Sequence, residues 1–125
     1  MKRVDIARQL AEGAWYAEGA AADIAAAVLR QPSLFDELCE CLLSPDIGTA
    51  RRAAMALETI SRRQPGWFTP YVDVLLEELA TRPSWFIRFR LCPIVARVRL
   101  DRGQHARAVA LCRELADHAQ NALAV

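Results

Sequence analysis

The apolar residues of this chain recur at intervals of three and four positions along almost its whole length, which is the spacing of one face of an α-helix. No stretch alternates with a period of two for long enough to predict a β-strand. Glycine, proline and serine signals interrupt the periodic stretches at short distances. They predict seven helices, over residues 4–17, 20–31, 33–43, 46–64, 67–81, 84–101 and 104–121. We therefore expect an all-α fold in which short connections make sequential helices antiparallel.

The chain also repeats internally. Arg-Gln-Pro occurs at residues 30–32 and again at 63–65, each time followed by a small residue and two large apolar ones. A shift of 38 residues aligns Ala53, Ala56, Leu57 and Ile60 with Leu91, Ile94, Val95 and Val98, and aligns Leu34, Leu38 and Cys41 with Val72, Leu76 and Leu79. Matching core positions at a fixed period are typical of helical repeats. We predict one helical-repeat domain over residues 1–125, with units at 4–31, 33–64 and 67–101 and a C-terminal capping helix at 104–121.

The second helix of each pair resembles the HEAT-repeat pattern, D-x-x-V-R-x-x-A-x-x-A-L-x-x-I. The first unit matches it at Asp46, Ala53, Ala56, Leu57 and Ile60, with Thr49-Ala50 in place of Val-Arg. The second unit matches it at Ile87, Arg88, Ile94, Val95 and Val98, with Ser84 for the acid and Leu91 for the alanine. The resemblance covers residues 33–101 and implies a short right-handed α-α superhelix, an armadillo-type solenoid of about seven antiparallel helices.

Two other all-α interpretations remain open. Residues 103–108, Gly-Gln-His-Ala-Arg-Ala, resemble the turn of tetratricopeptide repeats, with histidine in the aromatic place. A helical bundle without repeats is the other alternative.

Composition and charge narrow the classes of function. Apolar residues make up 54% and charged residues 25% of the 125-residue chain, which is typical of a soluble globular protein. Charged residues interrupt the N-terminus and the most apolar run, so we expect neither a signal peptide nor a membrane span. The four cysteines form no C-x-x-C pair, and we interpret them as small buried hydrophobes in the cytoplasm. The net charge is +1, but the charge is unevenly distributed, with about −4 in residues 1–49 and about +5 in residues 50–125.

Arginines form the first candidate site. On a helix over residues 84–101, Arg90 and Arg97 flank the apolar stripe on one side, and Arg52 and Arg63 lie on the equivalent side of the preceding second helix. If second helices line the concave face, as they do in HEAT-like solenoids, these four arginines share one surface. Such a surface suits carboxylates or phosphates, since guanidinium groups bind both in bidentate geometry. The alternative is a solvated face partly neutralised by nearby acids.

Aromatic residues form the second candidate site. Six of the nine aromatic residues lie between Trp67 and Phe89, where the run WFIRFR interleaves rings with arginines. Trp85 and Phe89 are the candidate contacts with a peptide or with stacked bases. The alternative is that these rings fill the ends of helix hairpins.

The sequence contains few motifs that are typical of a catalytic site. The chain carries no H-E-x-x-H, no glycine-rich phosphate loop and no nucleophile elbow. We interpret His105 and His118 as surface residues near helix ends, and we expect no enzyme activity, cofactor or bound metal. The function expected is a scaffold or adaptor that binds another protein. The alternatives are nucleic-acid binding, which HEAT-like DNA alkylation-repair proteins show to be possible on such a scaffold, and homo-oligomerisation through exposed repeat ends.

Overall fold

The computed structural model describes residues 5–14 and 17–124, and it describes side chains as far as residue 121. Within these residues the chain forms seven α-helices and two 3-10 helices, and no β-strand. The α-helices are α1 (Ile6–Ala11), α2 (Ala21–Arg30), α3 (Phe35–Leu42), α4 (Ile47–Arg63), α5 (Val72–Thr81), α6 (Trp85–Arg97) and α7 (Arg102–Ala124). The prediction of an all-α chain is confirmed for this part of the sequence.

The predicted helix boundaries differ from the observed ones by four residues or more at α1, α5 and α6, and the predicted start of α5 at residue 67 lies in a 3-10 helix that precedes Val72. The first helix was predicted over 4–17 but ends at Ala11, and Gly13 follows with a positive φ of 95°. Positions 4, 15 and 16 of that prediction lie outside the described residues. The sixth helix ends at Arg97 instead of 101, because Val98 adopts an extended backbone.

Both Arg-Gln-Pro tripeptides precede a 3-10 helix. Pro32 begins Pro32–Leu34 and Pro65 begins Pro65–Tyr71, and each 3-10 helix leads directly into the next α-helix. Proline suits the first position of a helix because its φ is already helical and no backbone N–H is needed there. The repeated tripeptide therefore marks the start of α3 and of α5.

The helices divide into two compact units, residues 1–63 and 64–125. In the first unit, α4 packs against each of the three other helices. Twelve of its seventeen residues are buried, so it forms the centre of the unit instead of a surface helix. The fully buried residues of α4 include four alanines, whose small side chains let the neighbouring helices pack closely against it: Ala50, Ala53, Ala54 and Ala56.

In the second unit, α5, α6 and α7 pack against one another in all three pairs. The core contains leucines of α5, branched residues of α6 and one leucine of α7. These residues are Leu75, Leu76, Leu79, Ile87, Leu91, Ile94, Val95 and Leu115. The charged face of α7 contacts α5 through the guanidinium of Arg107, which lies 3.0 Å from Glu77.

The 38-residue shift predicted from the sequence aligns local structure in the two units. The seven aligned positions on α4 and α6 are buried, and so is Val98, which directly follows α6. Of the positions aligned before these helices, Leu38 and Cys41 are buried like Leu76 and Leu79, whereas Leu34 is half-buried and its counterpart Val72 is buried. The N-caps agree as well: Asp46 accepts from the backbone N–H of Thr49 at 2.9 Å, and Ser84 accepts from that of Ile87 at 3.3 Å. The aligned core positions and the N-caps of α4 and α6 therefore correspond.

None of the helices in the described residues combines the length and the apolar character needed to cross a membrane. The cytoplasmic location and the division into units 4–31, 33–64 and 67–101 with a capping helix 104–121 stay predictions.

Candidate functional site

Arg52 was predicted to lie on an open arginine surface, but it is 0% exposed. Its Nε donates to the carbonyl of Ala17 at 2.9 Å and its Nη1 donates to the carbonyl of Leu10 at 2.7 Å. Its Nη2 donates to the carbonyl of Ala14. Arg52 therefore belongs to the core of the first unit and is not accessible to a partner.

The end of α1 explains why an arginine is buried there. The last carbonyls of a helix have no partner within that helix, so they need donors from elsewhere. Leu10 is in the last turn of α1, and Ala14 and Ala17 follow it. A guanidinium carries five N–H donors in a planar fork, which lets one side chain reach several such carbonyls.

Two glycines make room for the Arg52 side chain. A Cβ on Gly19 would lie 2.8 Å from Nε and 3.1 Å from Cδ of Arg52, closer than side-chain atoms approach. A Cβ on Gly13 would lie 3.4 Å from Nη2. Both glycines also have positive φ, which L side chains rarely adopt. The segment after α1 is therefore shaped around this guanidinium.

The other residue predicted for the arginine surface on α4 is Arg63, which is the last residue of the helix and is exposed. Arg51, which was not among the candidates, is buried and donates from Nη1 to the carbonyl of Ala17 at 3.0 Å. On α4, the arginines near the start of the helix thus stabilise the fold, and the one at its end is open to solvent.

Helix α6 presents a surface that we call the α6 face: Phe86, Phe89, Arg90, Pro93, Ala96 and Arg97. At 100° per residue these six positions span an arc of about 120°. All six are exposed or half-exposed, and the two phenylalanines are 37% and 40% exposed. The guanidinium carbon of Arg90 lies 5.3 Å from the ring centre of Phe86, within the range of a cation–π contact. The structure therefore places the predicted residues Phe89, Arg90 and Arg97 together on one face.

Most of the corresponding face of α4 is covered by its own unit, although Thr59, the counterpart of Arg97, is exposed. The 38-residue shift carries Phe89 and Arg90 onto Arg51 and Arg52, whose guanidinium groups are buried against the end of α1 and the residues before α2. It carries Phe86 onto Gly48, which is also buried. The α6 face is thus the exposed counterpart of a surface on which a helical hairpin docks in the first unit.

Trp85, the second predicted aromatic contact, lies outside the α6 face. Its ring is stacked on His118 of α7, with ring centres 3.5 Å apart and an interplanar angle of 5°. The guanidinium of Arg88 lies over the Trp85 ring at 4.2 Å. Trp85 therefore contributes to the packing of α7 on α6 through its contact with His118, whose side chain is exposed on the surface of α7.

Arg88 is buried in the second unit, and the sequence signal that relates to it is its match to the HEAT-repeat pattern. Its Nε donates to the carbonyl of Leu79 at 2.7 Å, near the end of α5. Its Nη2 donates to a carboxylate oxygen of Glu114 at 3.3 Å. As with Arg52, a guanidinium supplies donors to the last turn of a neighbouring helix.

A groove of about 430 Å³ lies between α6 and α7. Its lining is mainly apolar and consists of Val95, Ala96, Val98, Leu100, His105, Ala108, Val109 and Cys112. The residue Ala96 belongs both to this groove and to the α6 face, so the two surfaces are continuous.

The described residues offer binding surfaces more readily than reactive groups. They contain no cluster of three or more His, Cys, Asp or Glu side chains placed to hold a metal ion. Burial raises the pKa of the Cys39 thiol to about 12 and that of Cys41 to about 11, so neither is a ready nucleophile at neutral pH.

Comparison of the chain with protein-family models, with curated proteins and with solved structures finds no match in any of the three, so the resemblance to HEAT repeats stays a prediction from the sequence.

Proposed function

We propose that this chain is a protein-binding module, a scaffold or adaptor without catalytic activity of its own, and that it engages its partner through the α6 face. The observation that carries the proposal is the contrast between α4 and α6. Equivalent faces of the two helices are covered by a helical hairpin in the first unit and exposed, with two phenylalanines, in the second. Exposed aromatic rings beside arginines are typical of protein interfaces.

The chemistry of the α6 face favours a helical partner segment that carries apolar side chains and a negative end. Phe86 and Phe89 offer apolar area, and Arg90 and Arg97 offer donors that match carboxylates. On α4, the guanidinium of Arg52, the counterpart of Arg90, donates to the carbonyl of Leu10 in the last turn of α1. We therefore expect the partner to place a helix C-terminus, or acidic side chains near one, against the arginines.

The HEAT-like assignment is part of this proposal. Two helix pairs, 35–63 and 72–97, share core positions and N-caps at a constant shift of 38 residues, which supports a common repeat. In HEAT-like proteins the second helix of each pair supplies binding residues, and α6 is the second helix of its pair.

The burial of arginines weakens the nucleic-acid alternative. The basic excess of residues 50–125 includes Arg51, Arg52 and Arg88, which are all buried and donate to backbone carbonyls within their own unit. These three side chains cannot contact a phosphate backbone, so fewer arginines of this part of the chain can neutralise phosphates. Neutralisation of phosphates is the main source of affinity for nucleic acid.

The test compares two charge-reversed variants of equal net charge. Arg90→Glu with Arg97→Glu changes the α6 face, and Arg30→Glu with Arg113→Glu changes exposed arginines elsewhere. Each protein is used as bait in a cell extract of the native host, and proteins enriched by the unmodified chain are purified. Their affinity for all three chains is then measured by calorimetry.

The proposal predicts a partner that binds the unmodified chain and the control variant alike and binds the α6-face variant at least about tenfold more weakly. Equal binding of all three chains would refute the α6 face as the interface. Binding of labelled oligonucleotides that falls steeply with added salt and is lost in the α6-face variant would favour the nucleic-acid alternative. A molar mass that rises with concentration only when Phe86 and Phe89 are intact would favour self-association.

A further inference from the structure

Two thiols of the second unit lie side by side. Cys92 is on α6 and Cys112 is on α7, twenty residues later, and their sulfur atoms are 2.9 Å apart. Both side chains are half-buried and both cysteines are free. The two cysteines belong to different helices. The pair lies at the edge of the groove described above, because Cys112 is one of the residues that line that groove.

Contacts on both sides of Cys112 fix its position on α7. Five residues before it, Arg107 forms an ion pair with Glu77 of α5 at 3.0 Å. Two residues after it, Glu114 forms an ion pair with the buried Arg88 of α6 at 3.3 Å. The two thiols are therefore held together by contacts that do not involve the sulfur atoms.

We propose that Cys92 and Cys112 form a reversible disulfide that covalently links α6 to α7 under oxidising conditions. The sulfur atoms need to approach each other by only about 0.9 Å to reach the length of a disulfide bond, near 2.05 Å. Small changes in the two side-chain torsions accomplish a movement of this size. Cys39 and Cys41 are poor candidates for the same bond, since two positions apart on one helix they point in different directions.

The chemistry balances with glutathione disulfide as the oxidant. The Cys112 thiolate, which is reached through the groove, attacks one sulfur of glutathione disulfide and releases one glutathione thiolate. The Cys92 sulfur then attacks the mixed disulfide at Cys112 and releases the second. The two protein thiols lose two electrons and two protons, and one glutathione disulfide becomes two glutathione thiols. In the cytoplasm such a bond is expected to be transient, as disulfides in reducing compartments usually are.

The environment of Cys92 disfavours its thiolate. Burial, followed by the hydrogen bond between the two thiols, raises the pKa of the Cys92 thiol to about 12, while the nearby Arg88 opposes this shift. Little Cys92 thiolate is present at neutral pH, so the second step depends on the closeness of the two sulfur atoms. Once formed, the bond closes a loop of twenty residues and fixes the spacing of the α6–α7 groove.

Trypsin offers a direct test on the unmodified chain. Cleavage after arginine leaves Cys92 in the peptide 91–97 and Cys112 in the peptide 108–113, whereas Cys39 and Cys41 remain together in 31–51. The folded protein is incubated with glutathione disulfide, its free thiols are alkylated, and the digest is analysed by mass spectrometry. We expect peptides 91–97 and 108–113 to be linked at least about tenfold more often than either carries glutathione, because the second thiol attacks within the same molecule.

Three controls separate this bond from random oxidation. A Cys39→Ala, Cys41→Ala variant should form the link as the unmodified chain does. A Cys92→Ala variant should carry glutathione on Cys112 and form no link, which shows that Cys112 is the accessible thiol. In concentrated guanidinium chloride the preference for the link should fall. Stable glutathione adducts on Cys112 in the folded unmodified chain, or an equal preference in the denatured chain, would overturn the proposal.

Discussion

Replacement of Arg52 by methionine removes three hydrogen-bond donors from the core of the first unit and leaves most of the apolar side-chain volume in place. The carbonyl groups of Leu10, Ala14 and Ala17 then lose the guanidinium that stabilises them. Arg52 is fully buried, and the hydrogen bond that it donates to the carbonyl of Leu10 is buried as well, so the loss of that bond leaves an acceptor inside the unit without its donor. We expect the first unit, and α1 in particular, to be strongly destabilised.

The magnitude follows from two opposing contributions. A hydrogen bond from a charged donor stabilises a fold by about 1.5 to 3 kcal/mol, so three of them contribute about 4 to 9 kcal/mol. The buried charge costs several kcal/mol in lost hydration, and methionine does not carry that cost. We therefore expect a net loss of about 3 to 5 kcal/mol, which is a large part of the total stability of a small domain.

The matched control is Arg90→Met, at the equivalent position of α6. Arg90 is half-exposed and lies over the Phe86 ring, so its replacement should cost less than about 1 kcal/mol. Urea unfolding followed by circular dichroism gives the overall loss of stability. Hydrogen exchange with mass spectrometry locates it, and in the Arg52→Met variant amides of α1 should exchange at least about a hundredfold faster while those of α5 and α6 stay unchanged.

Equal stability of Arg52→Met and Arg90→Met would refute the reasoning, since burial and three carbonyl acceptors distinguish only the first. A loss spread evenly over the amides of both units would also contradict it, because the donors of Arg52 reach only residues of the first unit.

Three further predictions concern stability. Gly19→Ala should lower the free energy of unfolding by about 2 kcal/mol or more, because φ is +54° and the new Cβ would collide with the buried Arg52 side chain. The control is Gly66→Ala, whose Cβ meets no atom within 4 Å and which should be neutral or slightly stabilising in thermal unfolding. Asp46→Ala should cost about 1 kcal/mol, because the N-cap of α4 is lost. Hydrogen bonds from the side chain of Thr49 and from its backbone N–H lower the pKa of Asp46 in the folded chain. The stabilisation by this N-cap is therefore fully present above the unfolded pKa of 3.8 and is lost as the pH falls through the lower folded pKa. An Asp46→Ala variant that remained destabilised in acid would contradict this explanation. Phe89→Ser should change the free energy of unfolding by less than about 0.5 kcal/mol, and a larger loss would show that the ring belongs to the core.

Helix existence could be predicted from the sequence because it depends on local signals. All seven predicted helices are present, and the two prolines that follow Arg-Gln each begin a 3-10 helix that leads into an α-helix. The 38-residue shift also identified buried positions such as Leu57 and Val95 correctly, since periodicity reports which side of a helix is apolar. The early end of α1 was missed, although Gly13 is a helix-ending signal.

The burial of individual arginines could not be predicted from local pattern. Arg52 and Arg90 occupy equivalent positions, and yet the first is buried and the second is half-exposed. The difference depends on whether another helix end lies against that face, which is a contact between residues far apart in sequence. The stacking of Trp85 on His118 is missed for the same reason, since the two residues are more than thirty positions apart.

The acceptors of Arg52 are peptide carbonyls and not side chains, and this has a consequence for how the first unit can vary. A carbonyl group is present whatever side chain the residue carries, so replacements at Ala14 and Ala17 leave the acceptors in place. Gly13 and Gly19 have no such freedom, because both have a positive φ that L side chains rarely adopt, and a Cβ on Gly19 would also collide with the Arg52 side chain. In a library of all single substitutions, tolerance in this segment should therefore drop at these two glycines, and natural divergence should be free to change the residues around them.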